Sequence, residues 1–386
     1  MRSSSDLNNV VKLTLENLQA KTRYHYAPMI NGNLLMNYKG TFRTFHEQAE
    51  DFSIAFGNSL KDSRPEQSGM VAALENEPLF FLNTGDLFYA DIGLDDISLF
   101  RNAYENALKR SCDSIIGVSV PLVYIWDDHD YGPNNSDATA AGRKSSRRAY
   151  REHIPHYPMP AGDGDAVIYQ AFSVGSVRFI LTDLRGERYA SENTMMGSNQ
   201  LFWFLSELTD ASFTHDLILW VSSVPYTTTQ GASSDNWGGF EEERRIIANH
   251  IKNNQIQNIM IISGDAHSMA AGDGTDADYA DGGGAPLAEI LAAPLDGDKT
   301  SIKGGPWNHG IYAAPTGENV YGLLSVNFTD AEIIINFSGR TNKHEEKIFM
   351  SKRFDRNVWQ TCRANSVTNN EGLISALAIS TTANSE

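Results

Sequence analysis

Leu79-Phe80-Phe81-Leu82-Asn83-Thr84-Gly85-Asp86-Leu87-Phe88-Tyr89-Ala90-Asp91 is the stretch on which the fold turns. It opens with four apolar residues and then stops at polar ones and a glycine, which reads as a buried strand of a covered sheet. The carboxyl end of such a strand is where open α/β sheets keep their chemistry. Asp86 follows a glycine, whose missing side chain lets backbone and ligand approach closely. Tyr89, three residues on, can curl back to the same point, so that a carboxylate and a phenol share one ion. Most isolated Gly-Asp pairs are ordinary turns, and the reading therefore depends on repetition.

The same grammar recurs twice. Leu122-Val123-Tyr124-Ile125-Trp126 runs into Asp127-Asp128-His129-Asp130, and Ile259-Met260-Ile261-Ile262-Ser263 runs into Gly264-Asp265-Ala266-His267. Three strand ends on one rim make a metal site.

Composition narrows the class. The chain has 386 residues, 41% of them hydrophobic, enough for two or more domains with a large core. A net charge of -17 argues against nucleic acid as a partner, since such binding rests on Lys and Arg neutralising phosphates. Divalent cations are more natural company. No apolar run is long enough for a membrane span, and Met1-Arg2-Ser3-Ser4-Ser5-Asp6 lacks an apolar signal core. The two cysteines, Cys112 and Cys362, are too few for a disulfide framework or a thiolate zinc site.

Along the chain, residues 10–46 alternate apolar and polar with a turn at Asn31-Gly32-Asn33, which predicts antiparallel strands. The run through Thr22-Arg23-Tyr24-His25-Tyr26 resembles the tyrosine corner of fibronectin type III-like sandwiches. Only three or four strands are there, so the reading is a partial sandwich over 1–47, a catalytic domain over 48–350 and a C-terminal tail over 351–386. From Asp51 short buried strands alternate with helical stretches. Helices are expected over Ser98–Arg110, over Arg143–His153, and over Gln200–Leu208 with Ser198 as cap. A hairpin is expected around Gly175-Ser176. The arginines of 143–153 read as a solvated helical face. Gly272–Gly284, rich in Asp and Gly, misses the EF-hand register by one residue and reads as a solvated loop.

Oxygen ligands with one or two imidazoles suit iron, manganese, calcium or magnesium, and a central Asp86 can bridge two of them. A two-metal clamp fits in-line displacement at phosphorus: one ion lowers the pKa of a water to make hydroxide, and both offset transition-state charge. His129, beside the candidate ligand Asp128, is then placed as general acid. Arg185, at a strand end, is expected to hold the phosphate.

On Gly85-Asp86-Leu87-Phe88-Tyr89-Ala90-Asp91, Trp126-Asp127-Asp128-His129-Asp130, Asp183-Leu184-Arg185, Gly197-Ser198-Asn199-Gln200-Leu201, Asp235-Asn236-Trp237-Gly238-Gly239-Phe240 and Ser263-Gly264-Asp265-Ala266-His267, the chain resembles the alkaline phosphatase D family within the calcineurin-like metallophosphoesterases. The resemblance spans roughly residues 10–350. It implies a fibronectin-like N-terminal domain, a four-layer α/β/β/α catalytic domain, phosphoester hydrolysis, calcium with iron(III) as cofactors, and a periplasmic or secreted location. By the same resemblance Asp86 bridges the metals, Tyr89 binds iron, Asp128 takes the position of a metal-binding Asn, and Asp265 with His267 completes the last motif. Asn134 or Asn135 adds a calcium ligand.

The chain departs from the family after its first strand. A cysteine iron ligand is usual there, and this chain has Gly57-Asn58-Ser59. Ser59 falls nearest that place and is a poorer ligand, which favours manganese or zinc over iron. The expected function is a metal-dependent phosphomonoesterase or phosphodiesterase acting on a small phosphoester. The competing reading is a weakened relative that only binds a phosphorylated or glycosylated ligand. His129 beside the ligands argues for catalysis.

Overall fold

The computed structural model describes residues 10–61, 68–113, 120–228, 235–297, 300, 302 and 305–356, with the backbone alone for 110–113. Two β-sheets stack face to face. One has six strands in the order β17 (Glu346–Asp355), β16 (Glu332–Thr341), β15 (Val320–Phe328), β5 (Phe52–Gly57), β6 (Phe81–Asn83), β7 (Leu122–Tyr124). The other has seven: β14 (Gly310–Tyr312), β12 (Met269–Gly272), β13 (Ala288–Ala292), β11 (Ile259–Ser263), β10 (Leu217–Val221), β9 (Val177–Leu181), β8 (Gln170–Val174). In each sheet the middle is parallel, with β5–β6–β7 in one and β9–β10–β11–β13 in the other. Antiparallel hairpins form the flanks.

Period-2 alternation explains the near-continuous apolar runs. In β10, Leu217, Leu219 and Val221 join the core between the sheets, while Ile218 and Trp220 face the outer core. Met260 and Ile262 of β11 point inward and Ile259 and Ile261 outward in the same way. A strand covered on both faces carries mostly apolar residues until it leaves the sheet; Glu289 in β13 is an exception, satisfied by Tyr226 N–H, Thr227 N–H and the Ser263 hydroxyl. Each such side chain contributes about 1.5–3 kcal/mol on burial.

Helices cover the outer faces. Against the seven-stranded sheet lie α5 (Gly197–Thr214) and α6 (Glu241–Asn253), which bury Phe204, Leu208, Ile247 and Ile251. Against the other lie α1 (Gly69–Leu74), α2 (Ile97–Asp113) and α4 (Arg143–His153), which bury Met70, Tyr104 and Tyr150. The result is the expected α/β/β/α arrangement. No helix among the described residues is long and apolar enough to cross a membrane.

Before the first sheet, β1 (Arg23–Tyr26) pairs with β4 (Gly40–Arg43), and β2 (Met29–Ile30) with β3 (Asn33–Leu34) around Asn31-Gly32. The Tyr24 hydroxyl accepts a hydrogen bond from the Gln19 backbone N–H at 2.8 Å, the corner tie anticipated from sequence. Leu13, Met29, Ile30, Leu34 and Tyr38 are exposed, so this segment builds little core of its own.

Two expectations need correcting. Two of the α4 arginines do not belong to a solvated face, though Arg148 is exposed: Arg147 is buried and binds Asp165 and the Gly186 carbonyl, and Arg151 donates to the Ala166 and Val167 carbonyls. Neighbouring loops arrive with unpaired carbonyls, which the arginines satisfy. The helix assigned to Gln200–Leu208 begins at Gly197, so Ser198 lies inside its first turn. Strand β17 runs past residue 350 to Asp355, and the tail from residue 357 lies outside the described residues.

Candidate active site

The carboxyl ends of β5, β6, β7 and β11 open on one edge, and the loops that leave them lock together. Leu60 N–H donates to the Asp86 carbonyl (2.9 Å), Thr84 N–H to the Gly57 carbonyl (3.1 Å), and the Thr84 hydroxyl to the Ser263 carbonyl (3.5 Å). Glycine makes the contact possible at two places. A Cβ on Gly264 would lie 2.3 Å from Asn58 Nδ2, and one on Gly85 would lie 2.5 Å from Asp127 Cβ. Four candidate ligands, Ser59 (φ 61°), Asp86 (53°), Asp265 (63°) and His267 (49°), have left-handed backbone. Such conformations cost about 1–3 kcal/mol each and concentrate at functional sites.

Several of the candidate side chains lie close together on this edge. Tyr89 donates its hydroxyl hydrogen to Asp86 Oδ2 (2.9 Å) with His267 Nε2 3.0 Å away on the other side. Ligand atoms of Asp86, Asp128 and His129 lie within 4.8 Å of one another, as do those of Asp127, Asp128 and Asp265. Asn134 lines a cleft of 280 Å³ together with His129, Asp265, His267, Asn236 and Trp307. Asn135 holds Asp128 Oδ2 through its backbone N–H at 2.6 Å. A larger cavity of 730 Å³ beneath the N-terminal strands contains none of these groups.

The electrostatics are those of several carboxylates crowded into a buried site. Burial, then the charges of Asp128 and Asp127, pushes the Asp86 carboxyl well above its ordinary range. Burial and neighbouring acids do the same to Asp265. Burial raises Asp130 to about 7, and raises Asp127 to about 6 against the pull of Arg185. Asp128 alone falls below the usual range, because Arg185 and His129 outweigh its burial. Burial and Asp86 also push the Tyr89 phenol up, while the Ser59 hydroxyl acts in the opposite sense. Asp86 Oδ1, Asp127 Oδ2, Asp128 Oδ1 and both side-chain atoms of Asn58 are buried without a hydrogen bond. Unsatisfied buried oxygens grouped in this way fit hard cations.

Arg185 is fully buried among acids: Nε donates to Asp127 (2.5 Å), and Nη1 and Nη2 form a fork onto Asp235 (2.9 Å each). Three carboxylates surround it, and they raise its own pKa although burial works against the charge. A planar, permanently charged fork is the cation suited to such a place. Arg185 thus ties Asp127 and Asp128 to Asp235.

The profile of the PhoD-like phosphatase family matches residues 68–312, more than half of the chain. The chain belongs to that family. Alkaline phosphatase D of Bacillus subtilis (strain 168) is 23% identical over an alignment of 205 positions that covers 45% of this chain and 35% of that protein. The match thus spans about a third of the relative's length. A solved structure of PhoD superposes with a TM-score of 0.73 at 16% identity, over 92% of this chain and 80% of its own, and so shares the fold.

Sequence reasoning left four site residues without a role. Asp127 sits inside a quoted motif in which only Asp128 and His129 were given roles. Asp91 proves to contact His129. Asp235 and Asn58 acquire their roles only through burial beside Arg185 and Gly264. Unusual acidity in the 86–91 and 127–130 segments was the available signal for the first two.

Proposed function

We propose that the chain is a two-metal phosphoester hydrolase whose ions are held by Asp86, Tyr89, Asp128, Asp265 and His267, with Ser59 and Asn134 at the margins. The observation that carries this reading is the set of buried carboxylate oxygens without a donor at the junction of four strand-end loops. Ions held there would supply Lewis-acid stabilisation of phosphoryl charge and a water of lowered pKa. Calcium, manganese or zinc fits the donor set better than iron, because Ser59 brings a neutral hydroxyl where a thiolate would favour a softer or more highly charged ion.

The remaining chemistry belongs to the protein. His129 lines the cleft, and its Nε2 delivers a proton to the leaving oxygen as the phosphoester bond breaks. Asn134 and Asn236 border the same cleft and offer amide donors to the non-bridging oxygens. The Arg185 clamp keeps Asp127 and Asp128 in place whether or not substrate is bound. We assign residues up to about 47 to a partial fibronectin-like unit and the following residues, through β17, to the catalytic unit. The family resemblance supports a periplasmic or secreted location.

The test is to strip the protein with chelator, restore calcium, manganese, zinc or iron singly, and assay a chromogenic monoester and diester side by side. Metal-restored turnover of either ester is expected. His129→Ala should lower turnover by about 100-fold to 10,000-fold while metal content stays unchanged. Absence of turnover with every ion, alongside retained binding of phosphorylated ligands, would favour the non-catalytic relative instead.

A further inference from the structure

We infer that the β2–β3 hairpin is a docking element that seats the protein on an anionic lipid surface. Met29, Ile30, Leu34, Met36 and Tyr38 are each more than half exposed. Among the described residues, ten of the eighteen exposed large apolar side chains fall between Val11 and Tyr38. Exposed apolar residues gathered in this way mark an interaction surface, whereas scattered ones do not. The hairpin is held in shape: Asn31 (φ 50°) and Gly32 (φ 82°) form the two-residue turn that matches strand twist, and Leu35 N–H donates to the Pro28 carbonyl at 2.8 Å. A Cβ on Gly32 would meet no atom within 4 Å, so the tip stands clear of the rest of the protein.

Charge decides what the tip meets. Residues 17–46 are the longest stretch without Asp or Glu, thirty residues in a chain with 48 acids among 386. Lys39 directly follows Tyr38, and Arg23 and Arg43 sit opposite each other at the far end of the β1–β4 ladder. Like charges in direct cross-strand register repel, and an anionic surface relieves that repulsion. Lys21 is engaged by Glu50. A second copy is the poorer occupant, because a two-fold contact through this face would bring the same cations together. A bilayer with anionic headgroups suits both features: the apolar side chains enter the boundary of the acyl chains, and the cations behind them meet the headgroups.

The attachment point sets the orientation. The cavity of 730 Å³ beneath the N-terminal strands is lined by Phe52, Leu79 and Pro121, at or just before the amino ends of β5, β6 and β7. Asp86 and the helical turn α3 (Asp128–Tyr131) follow the carboxyl ends of β6 and β7. A docked hairpin therefore leaves the active-site rim turned towards water. Exposed charges more than a Debye length apart, about 8 Å at physiological ionic strength, are largely screened, so the acids of that rim do not prevent docking.

This inference does not depend on the proposed hydrolysis. The experiment floats the purified full chain with vesicles of phosphatidylcholine mixed with phosphatidylglycerol, and with vesicles of phosphatidylcholine alone. It compares the parent protein with Met29→Ser/Ile30→Ser and with Lys39→Glu. The parent protein is expected to float with the mixed vesicles, and less with phosphatidylcholine alone or at high salt. Met29→Ser/Ile30→Ser should lower the partition coefficient by about 10-fold to 100-fold, the apolar share of two side chains. Lys39→Glu should weaken flotation with the mixed vesicles only. Both variants should keep the melting temperature and far-UV circular dichroism of the parent, because the altered side chains are exposed. Absence of flotation with the mixed vesicles, equal flotation with both kinds, or unchanged flotation of either variant overturns the inference. Analytical ultracentrifugation without lipid addresses the other occupant: a monomer is expected, and a dimer that Met29→Ser/Ile30→Ser dissociates would make this face a contact between copies and overturn lipid docking.

Discussion

Arg185 faces three carboxylates from inside the protein, and removing one partner of a buried ion pair leaves the others charged and unsolvated. Such losses cost about 3–5 kcal/mol. Arg185→Met should accordingly destabilise the metal-free protein by about that amount at pH 8 in urea denaturation, with added divalent ion recovering part of it. A loss below about 1 kcal/mol would mean that the acids are neutral without Arg185. Ser59 makes the opposite case, a site short of one negative charge. Ser59→Cys adds a soft anionic donor and should shift selectivity towards iron, with the colour of phenolate coordination from Tyr89. An unchanged metal preference would put position 59 outside the ligand set.

The elements deliver these residues through loop contacts that only glycine permits. Gly264→Ala forces a methyl against Asn58 and Thr84, so the β5 and β11 loops must part. Metal affinity should fall by about 10-fold or more, as when partners that support ligands are lost, with far-UV circular dichroism unchanged. Strands β6, β7 and β11 were legible in the sequence because each apolar run is followed closely by Asp, whereas β5 runs into Gly57-Asn58-Ser59 and gave a weaker signal. The supporting roles of Arg185, Asp235 and the α4 arginines were not legible, since a charged side chain reads as solvated until tertiary burial supplies its partners. The N-terminal strands were recognisable from alternation and from Tyr24, yet their apolar side chains stay largely exposed. Limited proteolysis should cut before residue 45 first; initial cleavage within the catalytic unit would contradict this.

At the scale of the whole molecule, the acids at the rim oppose folding in the absence of metal. Asp86, Asp127, Asp130 and Asp265 all have folded pKa values above their unfolded ones, so the folded chain binds more protons. Their contribution to stability is fully present below about pH 4, the unfolded carboxylate value. It is lost as pH rises through about 6 for Asp127 and about 7 for Asp130. The melting temperature of metal-free protein should carry this downward trend between pH 5 and pH 8, and the gain on adding divalent ion should grow over the same range because ligands must be deprotonated to bind. A metal-induced gain that is flat with pH would separate these acids from the metal site. The most direct test of a two-metal centre is elemental analysis of metal-loaded protein after gel filtration. About two ions per chain are expected; one ion or none would contradict the proposed centre.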